Sequence, residues 1–175
     1  MFNVKTMISG LAVSLVSATL AMAADPVPPG DDGFTKYGEA EGWNVFVDNE
    51  KKSCLIERVD EAGNVVQMGL TKDHNFGYVG VFSKGDTGVK RGEESEIFLD
   101  IDGVLFSSTA TGMKGNITEG YSGGYILANN PVFIDAVAKK YVMTVFPGEQ
   151  AAFTVDLKGT YKAMDMARKC NSEQG

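Results

Sequence analysis

The sequence predicts a single, mainly β domain, an antiparallel β-sandwich or barrel-like unit with two short helices, the second of them C-terminal and disulfide-tied. Three observations support this fold class. Short apolar or alternating runs separated by turn residues fill most of the chain, as in strands joined by hairpins. Two segments carry apolar residues at helical spacing. The length of 175 residues is typical of one domain.

The N-terminus has the three parts of a secretory signal peptide. Lys5 is followed by the almost uncharged, mainly apolar run Met7–Met22, and Ala21 and Ala23 supply the small residues of a cleavage site. We therefore predict a signal peptide over residues 1–23 and an exported protein, periplasmic or secreted. A membrane anchor is the alternative, but serines and glycine interrupt the run, and no later stretch is apolar enough to span a bilayer.

Residues 24–33 are rich in proline, glycine and aspartate, a composition that favours a flexible leader over a core element. The β-rich domain is then predicted over residues 34–175. Within it, strands are predicted at 43–47, 54–59, 65–70, 76–82, 96–101, 104–108, 141–146 and 151–157. Asp102-Gly103 is the strongest hairpin signal. The glycine-rich stretch 111–124 predicts a long loop or weak edge strands, and the segment 83–129 is the least defined.

Two helices are predicted in the last third of the chain. Asn130 is placed to cap a helix with proline at its first position, continuing over Val132–Lys139. Thr160 is placed to cap a second helix that runs to about Cys170. One apolar face of that helix carries Ala163, Met166, Ala167 and Cys170.

The two cysteines, Cys54 and Cys170, are an even pair in a chain predicted to be exported. Such a pair is interpreted first as a disulfide. Free thiols serving a metal or redox site are the alternative, without a C-x-x-C spacing to support it.

The formal charge of −7 excludes one class of partner. Nucleic-acid binders neutralise phosphates with clustered lysine and arginine, and no such cluster occurs here. Nucleic acid is therefore not an expected partner.

The ends of the domain resemble the invasion-associated locus B family of small periplasmic proteins from alphaproteobacteria. The resemblance covers most of residues 43–170 and is weakest over 83–129. It is carried by Trp43-x-Val45 and Cys54 at the front, and by Phe133, Val142-x-x-Val145, Phe153-x-Val155-x-Leu157-x-Gly159-Thr160, Ala163 and Cys170 at the back. It implies a periplasmic location and an envelope or host-contact role, without an established chemistry.

Candidate catalytic and metal-binding residues are few. His74 is the sole histidine, so a hydrolase would need it as general base, yet no nucleophile motif accompanies it. Zinc needs three or four nitrogen or sulfur ligands, which this composition does not supply. Asp100 and Asp102, with Glu93, Glu94 and Glu96 nearby, could attract calcium, but a solvated hairpin tip is favoured over a calcium site. No catalytic residue, metal or cofactor is predicted.

The leading functional hypothesis is a non-enzymatic interaction or accessory protein with a protein or envelope partner. Tyr121 and Tyr125, among small residues, are the candidate partner contacts. The alternatives are a small hydrolase using His74, and a small-ligand carrier using the aromatic side chains of Phe76, Tyr78 and Phe82. A hydrolase needs His74 in a cleft, whereas a carrier needs an apolar pocket.

Overall fold

The computed structural model describes residues 33–70, 76–84, 87, 90, 92–112, 121–146, 148 and 152–174. The described residues form these elements, in chain order: β1 (Phe34–Ala40), β2 (Trp43–Asp48), β3 (Ser53–Val59), β4 (Val65–Leu70), β5 (Gly77–Ser83), β6 (Glu94–Ile101), β7 (Val104–Gly112), β8 (Ser122–Ala128), α1 (Pro131–Lys139), β9 (Val142–Val145), β10 (Phe153–Asp156) and α2 (Thr160–Glu173).

The strands belong to one antiparallel sheet in the order β1-β2-β3-β4-β5-β8-β7-β6-β9-β10. The first five strands follow one another as a meander. β5 then pairs with β8 rather than with β6, which places the β6–β7 hairpin between β8 and β9. The predicted mainly β, antiparallel architecture with two helices is confirmed.

The hairpin turns explain much of this register. Asp102 and Gly103 have φ values of 49° and 84°, and they place Val104 opposite Ile101. Two successive residues with positive φ form the turn whose twist matches that of the flanking strands, and Asp-Gly is a favoured sequence for it. The predicted hairpin over residues 96–108 is therefore confirmed.

One face of the sheet builds the core. Val45, Ile56, Met68, Val79 and Ile126 lie opposite one another on successive strands, and all five are buried. The alternation of strand side chains puts them on the same face. Residues from the far half of the sheet join the same cluster, namely Leu99, Ile101, Met143, Val145 and Val155. The sheet therefore curls around one core.

The outer parts of the curled sheet also meet through side chains. Arg58 of β3 donates from Nη2 to Asp156 Oδ2 of β10, at 2.8 Å. β10 is the last strand in the order and β3 is near its other end, so this ion pair joins the two ends of the sheet.

Both helices contribute to the core from the same side. Asn130 caps α1 as predicted, because its Oδ1 accepts the Val132 N–H at 2.9 Å. The prediction that Thr160 caps α2 is wrong: Gly159 holds the cap position with φ 85°, and Thr160 is the first helical residue. The Thr160 hydroxyl donates backwards to the Leu157 carbonyl at 2.6 Å instead. α2 also continues three residues past Cys170, to Glu173.

Candidate functional site

A cavity of about 240 Å³ lies between the sheet and the two helices. β3, β4 and β5 form its floor, the end of β8 contributes Ala128, and α1 and α2 form the opposite walls. The lining consists of Cys54, Ile56, Met68, Gly69, Leu70, Gly77, Tyr78, Val79, Ala128, Phe133, Ile134, Val137, Met164, Ala167, Arg168 and Asn171. Most of these side chains are apolar, so the cavity favours an apolar occupant.

The local sequence explains why space remains there. α2 turns Met164, Ala167, Arg168 and Asn171 toward the cavity, at the spacing of one helical face. Ala167 is small, so α2 cannot fill the volume above the sheet at this position. Gly77 and Ala128, which pair across β5 and β8, are equally short.

The predicted disulfide between Cys54 and Cys170 is confirmed, with a Cα–Cα distance of 6.0 Å. It bonds α2 to β3 at one side of the cavity, and Cys54 itself belongs to the lining. Beside it, the Cys54 backbone N–H donates to Asn171 Oδ1 at 2.7 Å. These two contacts fix the distance between the helix wall and the floor.

The lining includes two polar side chains on α2, besides the exposed apolar side chain of Ile134 on α1. We define its polar rim as Arg168 and Asn171, one turn apart on α2. Arg168 is exposed and its Nη1 contacts Asp165 Oδ1 of the same helix. Asn171 is half-buried and accepts the Cys54 N–H. The rim thus places polar hydrogen-bonding groups next to an apolar interior.

The opposite face of the sheet carries a row of polar side chains that are linked by hydrogen bonds. Tyr125 donates from its hydroxyl to Gln67 Oε1 at 3.1 Å, and Gln67 Nε2 donates to Glu57 Oε2 at 2.7 Å. Glu57 and Gln67 are buried, and the three residues lie opposite one another on β8, β4 and β3, with Gly80 of β5 between Gln67 and Tyr125. Burial, and then the nearby negative charge of Glu57, raises the pKa of Tyr125.

Tyr78 belongs to the same aromatic group. Its ring meets the Tyr125 ring edge-on at 5.1 Å, and the Phe82 ring meets Tyr125 at 5.2 Å. Burial is also the largest cause that raises the pKa of Tyr78, followed by the proximity of Tyr125. Both phenols are therefore held in their neutral form.

The predicted partner contacts, Tyr121 and Tyr125, are largely enclosed in this structure. Tyr121 is 9% exposed and packs with Val65 and Phe82, just before β8. Tyr125 is half-buried within β8. Residues 113–120 of the glycine-rich stretch lie outside the described residues. Partner binding through the two tyrosines stays a prediction.

The other candidate residues are distributed as follows. His74 lies outside the described residues, so the hydrolase hypothesis stays a prediction. Phe76 is 41% exposed. Tyr78 borders the cavity, but its ring lies on the opposite face of the sheet, against Tyr125. Phe82 is buried on the opposite face, beside Tyr125.

The acidic hairpin uses its carboxylates for backbone hydrogen bonds. Asp100 Oδ1 accepts the Gly103 N–H at 2.8 Å. Asp102 accepts the N–H groups of Tyr141 and Val142, each at 3.0 Å. Within the described ranges, no group of three or more histidine, cysteine or acidic residues is arranged to hold a metal ion. Asp100 therefore stabilises the turn itself, and Asp102 fastens the turn to the start of β9.

No helix among the described residues is long and apolar enough to cross a membrane. A disulfide is compatible with an extracellular or periplasmic location.

Comparisons with known proteins give little further identity. No family model matches the chain, and no solved structure matches it. The chain is similar to Protein trl of Helicobacter pylori, with 29% identity over 80 residues, which are 45% of this chain and 93% of that protein. The similarity covers less than half of the chain and assigns it to no family.

Proposed function

We propose that this protein is an exported, non-enzymatic accessory domain that binds a small apolar molecule in the cavity between sheet and helices. The observation that carries the proposal is the cavity itself, about 240 Å³ in volume and lined mainly by aliphatic, aromatic and thioether side chains. Protein interiors are otherwise packed as densely as organic crystals, so an apolar space of this size favours a ligand-binding role.

The volume limits the size of the ligand. An engineered apolar cavity of about 150 Å³ binds benzene, so by proportion this cavity accepts a molecule of about ten non-hydrogen atoms. That is smaller than the ligands of typical drug-sized pockets, which occupy ~300–1,000 Å³. Among the described lining residues, the polar side chains that reach the cavity are confined to Arg168 and Asn171, because the Tyr78 side chain lies on the opposite face of the sheet. Binding is therefore the proposed activity rather than a reaction.

The proposed location rests on the N-terminal sequence and the disulfide. The signal-like segment 1–23 and an oxidised Cys54–Cys170 pair both favour the periplasm or the extracellular space. Membership of the invasion-associated locus B family would add an envelope or host-contact role, and it is proposed on the residues quoted above.

The test compares straight-chain alcohols of three lengths. Butan-1-ol is smaller than the cavity, octan-1-ol is close to it in size, and dodecan-1-ol is larger. A ligand that binds the folded state raises the midpoint of thermal unfolding. Octan-1-ol should bind more tightly than either of the others, with a dissociation constant measured by titration calorimetry.

Ala167→Leu provides the decisive variant because its longer side chain would project into the cavity. Ala138→Leu on α1 is the matched control, since Ala138 is not part of the lining. Octan-1-ol binding should be lost in Ala167→Leu and kept in Ala138→Leu. Equal binding by both variants, or none by the wild type, would contradict the proposed function.

A second candidate function is the binding of a protein partner at an apolar end of the sheet. Val104 and Leu105 are 50% and 60% exposed, and Tyr141 and Val142 are 68% and 43% exposed. Asp102 accepts hydrogen bonds from the N–H groups of Tyr141 and Val142, which holds this pair against the turn that precedes Val104 and Leu105. Exposed, rigidly held apolar groups of this kind favour protein contact.

The partner hypothesis is tested with Leu105→Ser combined with Tyr141→Ser. Leu127→Ser is the control, because Leu127 is 58% exposed on a different strand. The partner should be recovered with the wild type and with the control, and the purified partner should in turn recover this protein. The double variant should fail to recover that partner. The same partner retained by the double variant would exclude this surface.

A further inference from the structure

The polar rim of the cavity carries two side chains with hydrogen-bond donors. Arg168 carries a guanidinium group, which has five N–H donors and no acceptor. Asn171 has both an amide oxygen and an amide NH₂ group. The Asn171 oxygen already accepts the Cys54 N–H at 2.7 Å. This contact occupies the amide oxygen and fixes the orientation of the amide, so the NH₂ group is the donor that a ligand could use.

The two residues are positioned to act together. They are three residues apart on α2, so their side chains lie on neighbouring turns of one helix face, and both line the cavity. Arg168 Nη1 contacts Asp165, and its planar fork has further donors beyond that contact. The disulfide at Cys170, the residue before Asn171, holds this turn of the helix against β3.

We propose that the ligand is an apolar molecule ending in one carboxylate, with its chain or ring in the cavity and its carboxylate on Arg168 and Asn171. The inference rests on the proposed function and names the ligand class of the same site. A carboxylate is an acceptor with two oxygens, which matches a guanidinium fork beside an amide NH₂. With about ten non-hydrogen atoms in total, a medium-chain fatty acid such as octanoate has the required size.

The experiment measures the dissociation constants of octanoate, octan-1-ol and octylammonium by titration calorimetry. The three probes share one chain and differ in the charge of the head group. The wild type should bind octylammonium more weakly than octanoate, since a guanidinium can donate hydrogen bonds to a carboxylate and not to an ammonium group. Raising the salt concentration should weaken the binding of octanoate and leave the binding of octan-1-ol unchanged, because salt screens the interaction between exposed charges.

Arg168→Gln isolates the contribution of the guanidinium. It should raise the dissociation constant of octanoate by about fivefold, the value expected for a solvent-accessible charged pair, and leave that of octan-1-ol unchanged. Lys169→Gln is the matched control: it removes the same charge from the neighbouring exposed position, outside the lining, and should change neither constant. The unfolding midpoint of each variant confirms that it is folded.

The outcomes separate the two proposals. In one outcome, octan-1-ol binds, and octanoate binds the wild type and Arg168→Gln with the same dissociation constant. That outcome would overturn the carboxylate inference and leave the proposed function standing. An equal loss for both probes in Arg168→Gln would also overturn it, because the residue would then support the cavity wall. Absence of binding by octanoate and octan-1-ol in the wild type would overturn the proposed function itself.

Discussion

The indole Nε1 of Trp43 donates a hydrogen bond to the backbone carbonyl oxygen of Lys158 at 3.0 Å, across 115 residues of chain. Arg58 donates from Nη1 to the same oxygen, also at 3.0 Å, and its guanidinium lies 5.8 Å from the centre of the Trp43 ring. One carbonyl therefore receives donors from β2 and β3. This junction closes the curled sheet near the start of α2.

Removing the indole donor should destabilise the domain. Trp43→Phe keeps a buried ring and deletes the hydrogen bond to Lys158, at a cost of about 1–3 kcal/mol in the free energy of unfolding. Because Arg58 shares the acceptor, Trp43→Phe and Arg58→Gln should be non-additive by ~0.5–2 kcal/mol in a double-mutant cycle. Urea unfolding measures both quantities, and strict additivity would show that the two donors act independently.

Loss of the disulfide should also weaken the domain. Cys170→Ser removes the covalent bond between α2 and β3, at an expected cost of ~2–5 kcal/mol. The double variant Cys54→Ser/Cys170→Ser is the control for the free thiol that the single variant leaves. The single and the double variant should both have the unfolding free energy of the reduced wild type, as measured by urea unfolding. Two reactive thiols in the unfolded, non-reduced wild type would contradict the Cys54–Cys170 bond.

Gly80 should be intolerant of a side chain. A Cβ atom there would lie 2.3 Å from the Tyr125 ring, which packs directly on the glycine. Gly80→Ala must displace that ring and the Tyr125–Gln67 hydrogen bond, so we expect a loss of ~1–3 kcal/mol. Tyr125→Phe removes the hydroxyl alone and should cost less. A smaller effect for Gly80→Ala than for Tyr125→Phe would mean that the ring moves freely.

Alkaline pH should destabilise the domain through the phenols of Tyr78 and Tyr125. The pKa values of Tyr78 and Tyr125 are raised by burial, so the unfolded chain ionises at about pH 10 while the folded chain stays neutral. Their contribution to stability is complete below pH about 10 and is lost progressively above it, with a slope of up to ~1.4 kcal/mol per pH unit for each tyrosine.

Denaturant unfolding at a series of alkaline pH values measures this slope, and Tyr125→Phe should reduce it. Gln67→Glu is a useful contrast, because a second carboxylate beside Tyr125 should favour the neutral phenol further. An identical slope in the wild type and Tyr125→Phe would show that Tyr125 ionises equally in both states.

Local patterns in the sequence predicted most of the secondary structure. The Asp102-Gly103 turn, the Asn130 cap and the short, mainly apolar runs of β2, β3 and β4 are encoded by residues close in sequence. β1 was not predicted as a strand, because its residues, Phe34-Thr-Lys-Tyr-Gly-Glu-Ala40, are mostly polar or small. It forms by pairing with β2, which already has a buried face.

The pairing order and the cavity could not be predicted from local patterns. The alignment of β5 with β8 depends on contacts between distant segments, and the glycines at positions 123 and 124 weaken the strand signal of β8. The cavity arises from the way two helices rest on the sheet, which no single segment encodes. Small residues facing the core, such as Ala167 on α2, were a usable signal for unfilled volume.

The contacts that close the sheet have a consequence for the order of events during synthesis. A ribosome releases the amino end first, so β1–β5 emerge as an open meander whose last strand waits for β8. The partners of three other residues are synthesised later still. They lie 98 residues after Arg58, 115 after Trp43 and 116 after Cys54. Such distant pairings fold slowly, on a scale of ms to s. The cavity therefore exists only after α2 has been released, because α2 forms one of its walls.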